Sequence, residues 1–495
     1  MSSRTARGWL ILILALGAAL RLWLFTGYQA SDDQVYIDLA WKLREGTSSL
    51  QTNPYASRVG LWVPMAGAFA LFGISIFAAV FVNFLSSLAT IFLGFALGSR
   101  LSDARMGLVA AMLVAFMPLN LHHATEVHAD LPLSAWMGLS VLVWQLSERK
   151  PWLGFLGGGS LGMGHLTKEP AFFLIAVIAV LSLRSTWGRK RFLYLLAGFA
   201  LVVAIETIVY ALFGDPAFRL HATRGAHSEY MEKHFSSAAQ IAHRLFLEVP
   251  LMMFHPMAPL FPFFGLFYVA FLPAAIHVWW IRDRAGRWAL GWWMVLFIFI
   301  CLTPSSLFPF RLAFVARPRT LEMLTLPAAL VLARSVCLLL PTRRRIHVVL
   351  GLVALLVVNM AASIRLWSDA STARENLEEA HRFLSDQPAG VVVGDERTRF
   401  SLLFFDRFRP RHRYVTWNEA PPAEPAWVIV DHYWISHDRS TYGTVQPAWT
   451  QALPEPVKVH VPRIPASLRR GSLKRVSFPP WRLEIRRWEP RCGGD

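Results

Sequence analysis

The chain has 495 residues, 55% of them hydrophobic, and a mean hydropathy of +0.40, an apolar excess that excludes an ordinary soluble fold and marks a polytopic membrane protein. Its formal net charge of +17 would suggest nucleic acid in a soluble chain. Here the Lys and Arg residues fall in short breaks between apolar runs, so the charge reports membrane topology and no nucleic-acid partner is expected. Cys301, Cys337 and Cys492 are odd in number and far apart, which defines neither a disulfide framework nor a metal site.

The first apolar run, from about Gly8 to Phe25, is long enough to cross a hydrocarbon core of ~30 Å. It lacks a small-residue cleavage site and is followed by others of its kind, so it reads as an uncleaved first span. Arg4 and Arg7 before it place the N-terminus in the cytoplasm. Further runs lie near residues 76–98, 106–121, 129–146, 152–167, 170–183, 192–213, 259–281, 288–304, 320–340 and 347–366, about eleven spans in all. Alternate breaks are basic: Arg100 and Arg105, Arg149 and Lys150, Arg184 with Arg189 to Arg191, Arg282 to Arg287, and Arg343 to Arg345. These stand where an N-inside, C-outside path needs cytoplasmic loops.

The other breaks then face outward: residues 26–75, the His122 to Asp130 turn, Lys168-Glu169, residues 214–258 and residues 305–319. Within the first, Leu61 to Phe72 is apolar, interrupted by Pro64 and too short to span; an interfacial helix is expected. After Leu366 the composition turns polar, with strand-like runs at 390–394, 413–417, 426–431, 457–461 and 481–486 and a helical stretch at 370–384. The expected fold is an all-α polytopic membrane domain over residues 1–366, outer loops 26–75 and 214–258 included. A small α/β or β-rich extracytoplasmic domain follows over 367–495.

Four constellations carry chemistry. Asp32 and Asp33 stand just outside the first span, where adjacent carboxylates repel and raise at least one pKa unless a cation answers them. They suit a general base, and equally the capped start of a helix over 33–44. Glu126 and Asp130, in His122-His123-Ala-Thr-Glu126-Val-His128-Ala-Asp130, are four apart and would share a helical face. Charge at that depth is expensive and functional by default, and the histidines, His128 among them, admit a divalent cation, Mg or Mn, or a salt-bridged turn. Lys168, in Leu-Thr-Lys168-Glu169-Pro170, suits either a lipid phosphate or a pair with Glu169. Arg311, Arg317 and Arg319, at the mouth of the tenth span, suit phosphate oxygens or interfacial anchoring. His221, Arg224, His227, Glu229 and His255 in the long outer loop, and the basic tail residues Arg469, Arg470, Lys474, Arg475, Arg486 and Arg487, read as solvated surface.

In order and sidedness these motifs resemble the GT-C superfamily of polytopic glycosyltransferases, in particular the bacterial branch with protein O-mannosyltransferases and aminoarabinose transferases of lipid A. The family's outer Asp-Glu-x-x-Tyr stands here as Asp32-Asp33-Gln-Val-Tyr36, its second acid as Asp130 after Pro118, its Leu-Thr-Lys turn as Leu166-Thr167-Lys168, and its late Arg-to-Pro entry as Arg319 to Pro327. The resemblance implies a multi-pass protein of the cell's inner membrane with an extracytoplasmic active site. It implies a sugar donor on a polyprenyl phosphate, an extracytoplasmic acceptor (lipid, glycan or protein) and inverting transfer, with membrane lipids as surroundings. Asp32, with Asp33, would supply the base; Glu126, His128 and Asp130 would orient acceptor and sugar or hold a metal; Lys168, Arg317 and Arg319 would neutralise the leaving phosphate. The rival reading is a transporter or flippase of lipid-linked sugars, which would carry ionisable groups near the bilayer midplane.

Overall fold

A computed structural model describes residues 2–48, 54–182, 186–223, 238–254, 261–302, 304–307, 310–312, 318–417, 420–432, 447–461 and 482–490. Arg184, Arg224, His227, Glu229, His255, Arg317, Arg469, Arg470, Lys474, Arg475 and Cys492 lie outside the described residues. The first ten helices are α1 (Ser3–Trp23), α2 (Asp32–Arg44), α3 (Val59–Phe72), α4 (Ile76–Leu101), α5 (Ala104–Ala115), α6 (Pro118–His123), α7 (Asp130–Leu146), α8 (Leu153–Thr167), α9 (Phe173–Ser182) and α10 (Thr186–Leu212). Later helices cover Phe267–Trp280, Arg284–Leu302, Thr325–Leu339 and Arg345–Ser385. Most of the predicted apolar runs fall on one of these helices, but the run at 106–121 is divided between α5 and α6. Among the described residues, 6 helices are long and apolar enough by themselves to cross a membrane. The remainder are shorter and lean on neighbours.

The bundle is not wholly helical. A hairpin of β1 (Pro304–Leu307) and β2 (Phe310–Leu312) interrupts it. Pro118 opens α6, its missing N–H costing nothing at a first helical position.

The packing is closest where side chains vanish. A Cβ on Gly158 of α8 would lie 1.9 Å from the Leu195 carbonyl oxygen of α10, and one on Gly198 would lie 2.0 Å from that of Phe155. These glycines bring the two backbones together, the usual device for helix association in lipid.

Contacts between breaks sort them into two ends. Arg100 donates to the Gln145 carbonyl and to Glu148, and Arg334 pairs with Asp283 while donating to Ser102. Several of the basic breaks predicted to be cytoplasmic therefore meet at one end of the bundle. The acidic and mixed breaks meet at the other.

The C-terminal region folds around β3 (Val391–Gly394), β4 (Arg413–Thr416), β5 (Ala426–Asp431), β6 (Lys458–His460) and β7 (Leu483–Trp488), in the order β4-β3-β5-β7-β6. The β3 pairings with β4 and β5 are parallel, and those of β7 with β5 and β6 antiparallel. The helix Glu396–Phe405 crosses over between β3 and β4, the unit expected for a parallel pair. One sheet face buries Val392, Ile429 and Ile485 against Ala380, Leu384 and Leu402, and the other buries Val391, Val393, Val428 and Val430 with Trp417. Near-continuous apolar strands reflect cover on both faces. The helix Arg345–Ser385 runs past Leu366 without a break, so its membrane-length first half and the half that packs on the sheet are a single element.

Candidate active site

The loop after α1 turns sharply, with Gly27 at φ 79° and Ala30 at φ 57°, to deliver Asp32 and Asp33 to the first turn of α2. Acids there complement the helix dipole, and Lys42 and Arg44 do so at its other end. The two carboxylates have separate tasks. Asp33 is buried and accepts the backbone N–H groups of Gln29 at 2.7 Å, Ser31 at 2.5 Å and Gln34 at 3.1 Å. Burial still pushes its carboxyl up to about 6, with the neighbouring Asp32 adding to the shift against those hydrogen bonds. Its oxygens face its own loop. Asp32 points the other way, accepting from Tyr55 Oη at 2.9 Å and from Arg319 Nη1 at 2.6 Å. Burial alone would raise the Asp32 carboxyl, but the Arg319 guanidinium, His128 and the Tyr55 hydroxyl hold it well below the ordinary carboxylate range.

Arg319 sits at the centre of the cluster. It lies within electrostatic reach of Glu126, His128, Asp130 and Lys168 as well as Asp32. Lys168, which caps the C-terminus of α8, donates from Nζ to Asp130 Oδ1 at 2.6 Å, and both side chains are buried. The partner of Lys168 is thus Asp130 and not Glu169. Glu169 pairs with Arg219, which also reaches Glu206 Oε1 at 2.7 Å. Arg58, just before α3, donates to Tyr36 Oη at 2.5 Å and lies over the Tyr55 ring at 5.2 Å.

Glu126 and Asp130 do not share a helix. Asp130 opens α7, whereas Glu126 lies in the turn after α6, where the histidines converge. Its carboxylate is 3.0 Å from His122 Nε2 and 3.4 Å from His128 Nε2. The donor atoms of His123, Glu126 and His128 all lie within 4.8 Å of one another, and His123 Nδ1 is buried without a hydrogen-bond partner. Burial, with Arg319 adding to it, holds His128 down to about 4, neutral at pH 7 as a ligand must be. Burial likewise raises the Glu126 carboxyl well above its ordinary value, a cost that a bound cation would offset. Two imidazoles and one carboxylate fit a divalent ion, and suit zinc or another borderline metal better than magnesium, which prefers oxygen.

Behind this turn, Glu322 accepts from Asn120 Nδ2 at 2.9 Å and lies 3.8 Å from His123 Nδ1. Asn120 in turn accepts from Arg21 of α1 at 2.6 Å. The C-terminal region also braces the site. Tyr28 and Ser401 share a hydroxyl hydrogen bond of 2.9 Å, Gln34 donates to the Arg397 carbonyl at 3.0 Å, and Arg374 donates to the carbonyls of Phe25 and Thr26 at 2.9 Å.

Of the residues singled out from sequence, Asp32, Arg319, Lys168, Asp130, Glu126 and His128 come together at one end of the bundle, and Asp33 stands behind them. Tyr55, Arg58, Glu322 and Arg219 were not foreseen in the site, whereas His123 belongs to the histidine motif that was. Arg58 carried a signal, an ionisable residue flanking an apolar run with no counter-charge nearby in sequence, and Glu322 carried one as an acid inside the predicted run 320–340.

Residues 58–210 match the sequence profile of the family described as dolichyl-phosphate-mannose-protein mannosyltransferase, a stretch holding Glu126, Asp130 and Lys168 but neither Asp32 nor Arg319. No curated protein matches the chain in sequence. In structure it is similar to ArnT from Cupriavidus metallidurans in the apo state, with TM-score 0.60 and 12% identity over 98% of each chain. It is similar to the same protein bound to undecaprenyl phosphate, with TM-score 0.59 and 12% identity over 99% of each chain. The Archaeoglobus fulgidus oligosaccharyltransferase in complex with Zn and sulfate matches with TM-score 0.54 and 12% identity over 86% of this chain and 68% of that one. Helix order, the gathering of the motifs at one end and the small C-terminal sheet thus give this chain the polytopic membrane fold of these proteins, the GT-C-like fold its motifs suggested.

Proposed function

We propose that this chain is an integral-membrane glycosyltransferase that moves a sugar from a polyprenyl-phosphate carrier to an extracytoplasmic acceptor with inversion. The observation that carries the reading is the Asp32–Arg319 pair of 2.6 Å beside the buried Lys168–Asp130 pair. A carboxylate able to accept an acceptor proton stands against cations able to neutralise a leaving phosphate. Asp32 takes the hydroxyl proton as the acceptor oxygen bonds to the sugar C1, and the C1–O bond to the lipid phosphate breaks. The electron pair leaves on the phosphate, next to Arg319 and Lys168, with Arg317 as a further candidate cation.

In the resting geometry Asp32 is a weak base, because Arg319 holds it. An incoming phosphate competes for the same planar guanidinium fork. Donor binding would then loosen Asp32 and ready it for the proton, which couples base activation to donor occupancy. A divalent ion at His123, Glu126 and His128 would supply Lewis acidity next to the acceptor. Undecaprenyl phosphate bound to the similar ArnT supports the carrier class, and the alternation of basic breaks supports the extracytoplasmic side and the inner membrane.

Purified protein given a polyprenyl-phosphate sugar and a mixed acceptor extract is expected to consume donor and release free polyprenyl phosphate. Net movement of donor across sealed vesicles with no bond broken would replace this reading by that of a flippase. For the metal, protein loaded with zinc and desalted should retain about one equivalent, and His123→Ala/His128→Ala should lose most of it. Elemental analysis reads the result, and a metal-free wild type would remove the cation from the site.

A further inference from the structure

A second cationic site lies at the far end of α2, about 18 Å from Asp32 at 1.5 Å per residue. A cavity of about 250 Å³ opens there between α2, the α3–α4 turn and the C-terminal region, lined by Arg44, Arg407 and Arg409 against the single carboxylate of Glu45. Among the described residues, no carboxylate pairs with any of the three guanidiniums. Two features fix them in place. Trp41 of α2 stacks on Phe408, with ring centroids 4.3 Å apart and planes at 11°. Arg407 and Phe408 both take left-handed φ, 55° and 56°, in a turn that closes the helix Glu396–Phe405 through Phe408 N–H to the Leu403 carbonyl at 2.8 Å. Consecutive non-glycine residues in that region are costly, and here they hold Arg407 and Arg409 on either side of the stacked ring.

The cavity also has a defined depth. Gly73 and Ile74, which line it, immediately precede α4, one of the membrane-length helices. Beside them Leu71, Phe72 and Phe77 are 79%, 51% and 41% exposed, apolar surface suited to acyl chains. Unpaired guanidiniums above an apolar skirt at a span end match the shape of one molecule class. We propose that this cavity holds the phosphate headgroup of an anionic membrane lipid, with its acyl chains lying along α3 and the start of α4. Arginine binds phosphate oxygens bidentately, and the surplus of cations disfavours a headgroup that carries its own positive charge. The site is independent of the transfer reaction and would anchor the C-terminal region to the membrane surface through the turn at 406–409.

The test uses the full-length chain in detergent, mixed with phosphatidylglycerol or phosphatidylcholine and read by native mass spectrometry. The wild type is expected to retain phosphatidylglycerol on the order of tenfold better than phosphatidylcholine. Arg44→Gln/Arg407→Gln/Arg409→Gln should lose that preference, and the corresponding triple Lys variant should keep most of it. A folded triple Gln variant with undiminished preference overturns the proposal, as does displacement of all bound lipid by inorganic phosphate, which would mark a free-phosphate site. Should the triple variant fail to fold, Glu45→Gln decides: removing the one carboxylate should strengthen retention, and no change would sink the assignment.

Discussion

Asp32→Asn is expected to lower donor-dependent transfer by about 10²- to 10⁴-fold, the usual contribution of a positioned base, while the protein stays folded and monodisperse. The amide keeps the size of the carboxylate and still accepts from Tyr55, which donates at 2.9 Å in the native chain, so the local packing survives. What disappears is the proton acceptor and the charge that faces Arg319. Initial rates with a polyprenyl-phosphate sugar, alongside thermal unfolding in detergent, separate these effects. A rate within about tenfold of wild type would take Asp32 out of the role of base. The Arg319 pairing adds a pH signature. Because Arg319, His128 and Tyr55 together hold the Asp32 carboxyl far below its ordinary range against the opposing effect of burial, the stability from this pair is present at neutral pH and lost only as pH falls through the depressed value. With Arg319→Gln, burial is left with much less opposition, so the acid limb of the pH–rate profile should move to higher pH.

The second large effect concerns Lys168 and Asp130. Lys168→Met leaves the Asp130 carboxylate buried with its hydrogen-bond donor gone, and breaking a buried pair on one side costs about 3–5 kcal/mol. Lys168→Met/Asp130→Asn removes both charges and should recover most of that loss, as neutral replacements of buried pairs do. Transfer should remain abolished in both. Denaturant or thermal unfolding of the two single variants and the double variant completes the cycle. A loss in the double variant equal to the sum of the two single losses would mean the two side chains are not coupled, and transfer by the double variant would remove both from the chemistry.

The apolar runs were legible because lipid imposes a length and a composition that irregular structure cannot imitate. The C-terminal strands were legible too, since Val391 to Gly394 and Ala426 to Asp431 are short β-branched or apolar runs bounded by Gly, Pro and polar residues. The site was legible by residue type more than by partner. That Asp32 and Lys168 belonged together followed from sidedness. That Lys168 pairs across to Asp130 and not to adjacent Glu169 did not, because that choice depends on how α7 and α8 pack through Gly157 and Gly164. Asp33 shows the same limit. Its neighbours in sequence gave no sign that the loop would fold back and spend both its oxygens on backbone N–H groups. Arg219 entered only through contacts over long sequence separations, to Glu169 and Glu206.

The unbroken helix Arg345–Ser385 is a rod of about 60 Å at 1.5 Å per residue, with its first half suited to lipid and its second seated on the sheet. A rod has no joint at which to dissipate tilt. Any rocking of its embedded end swings the sheet and, through Arg374 on the carbonyls of Phe25 and Thr26, tugs the strand of chain that presents Asp32. Bilayer thickness, by setting the inclination of that rod, would therefore tune the poise of the Asp32 carboxylate from a distance.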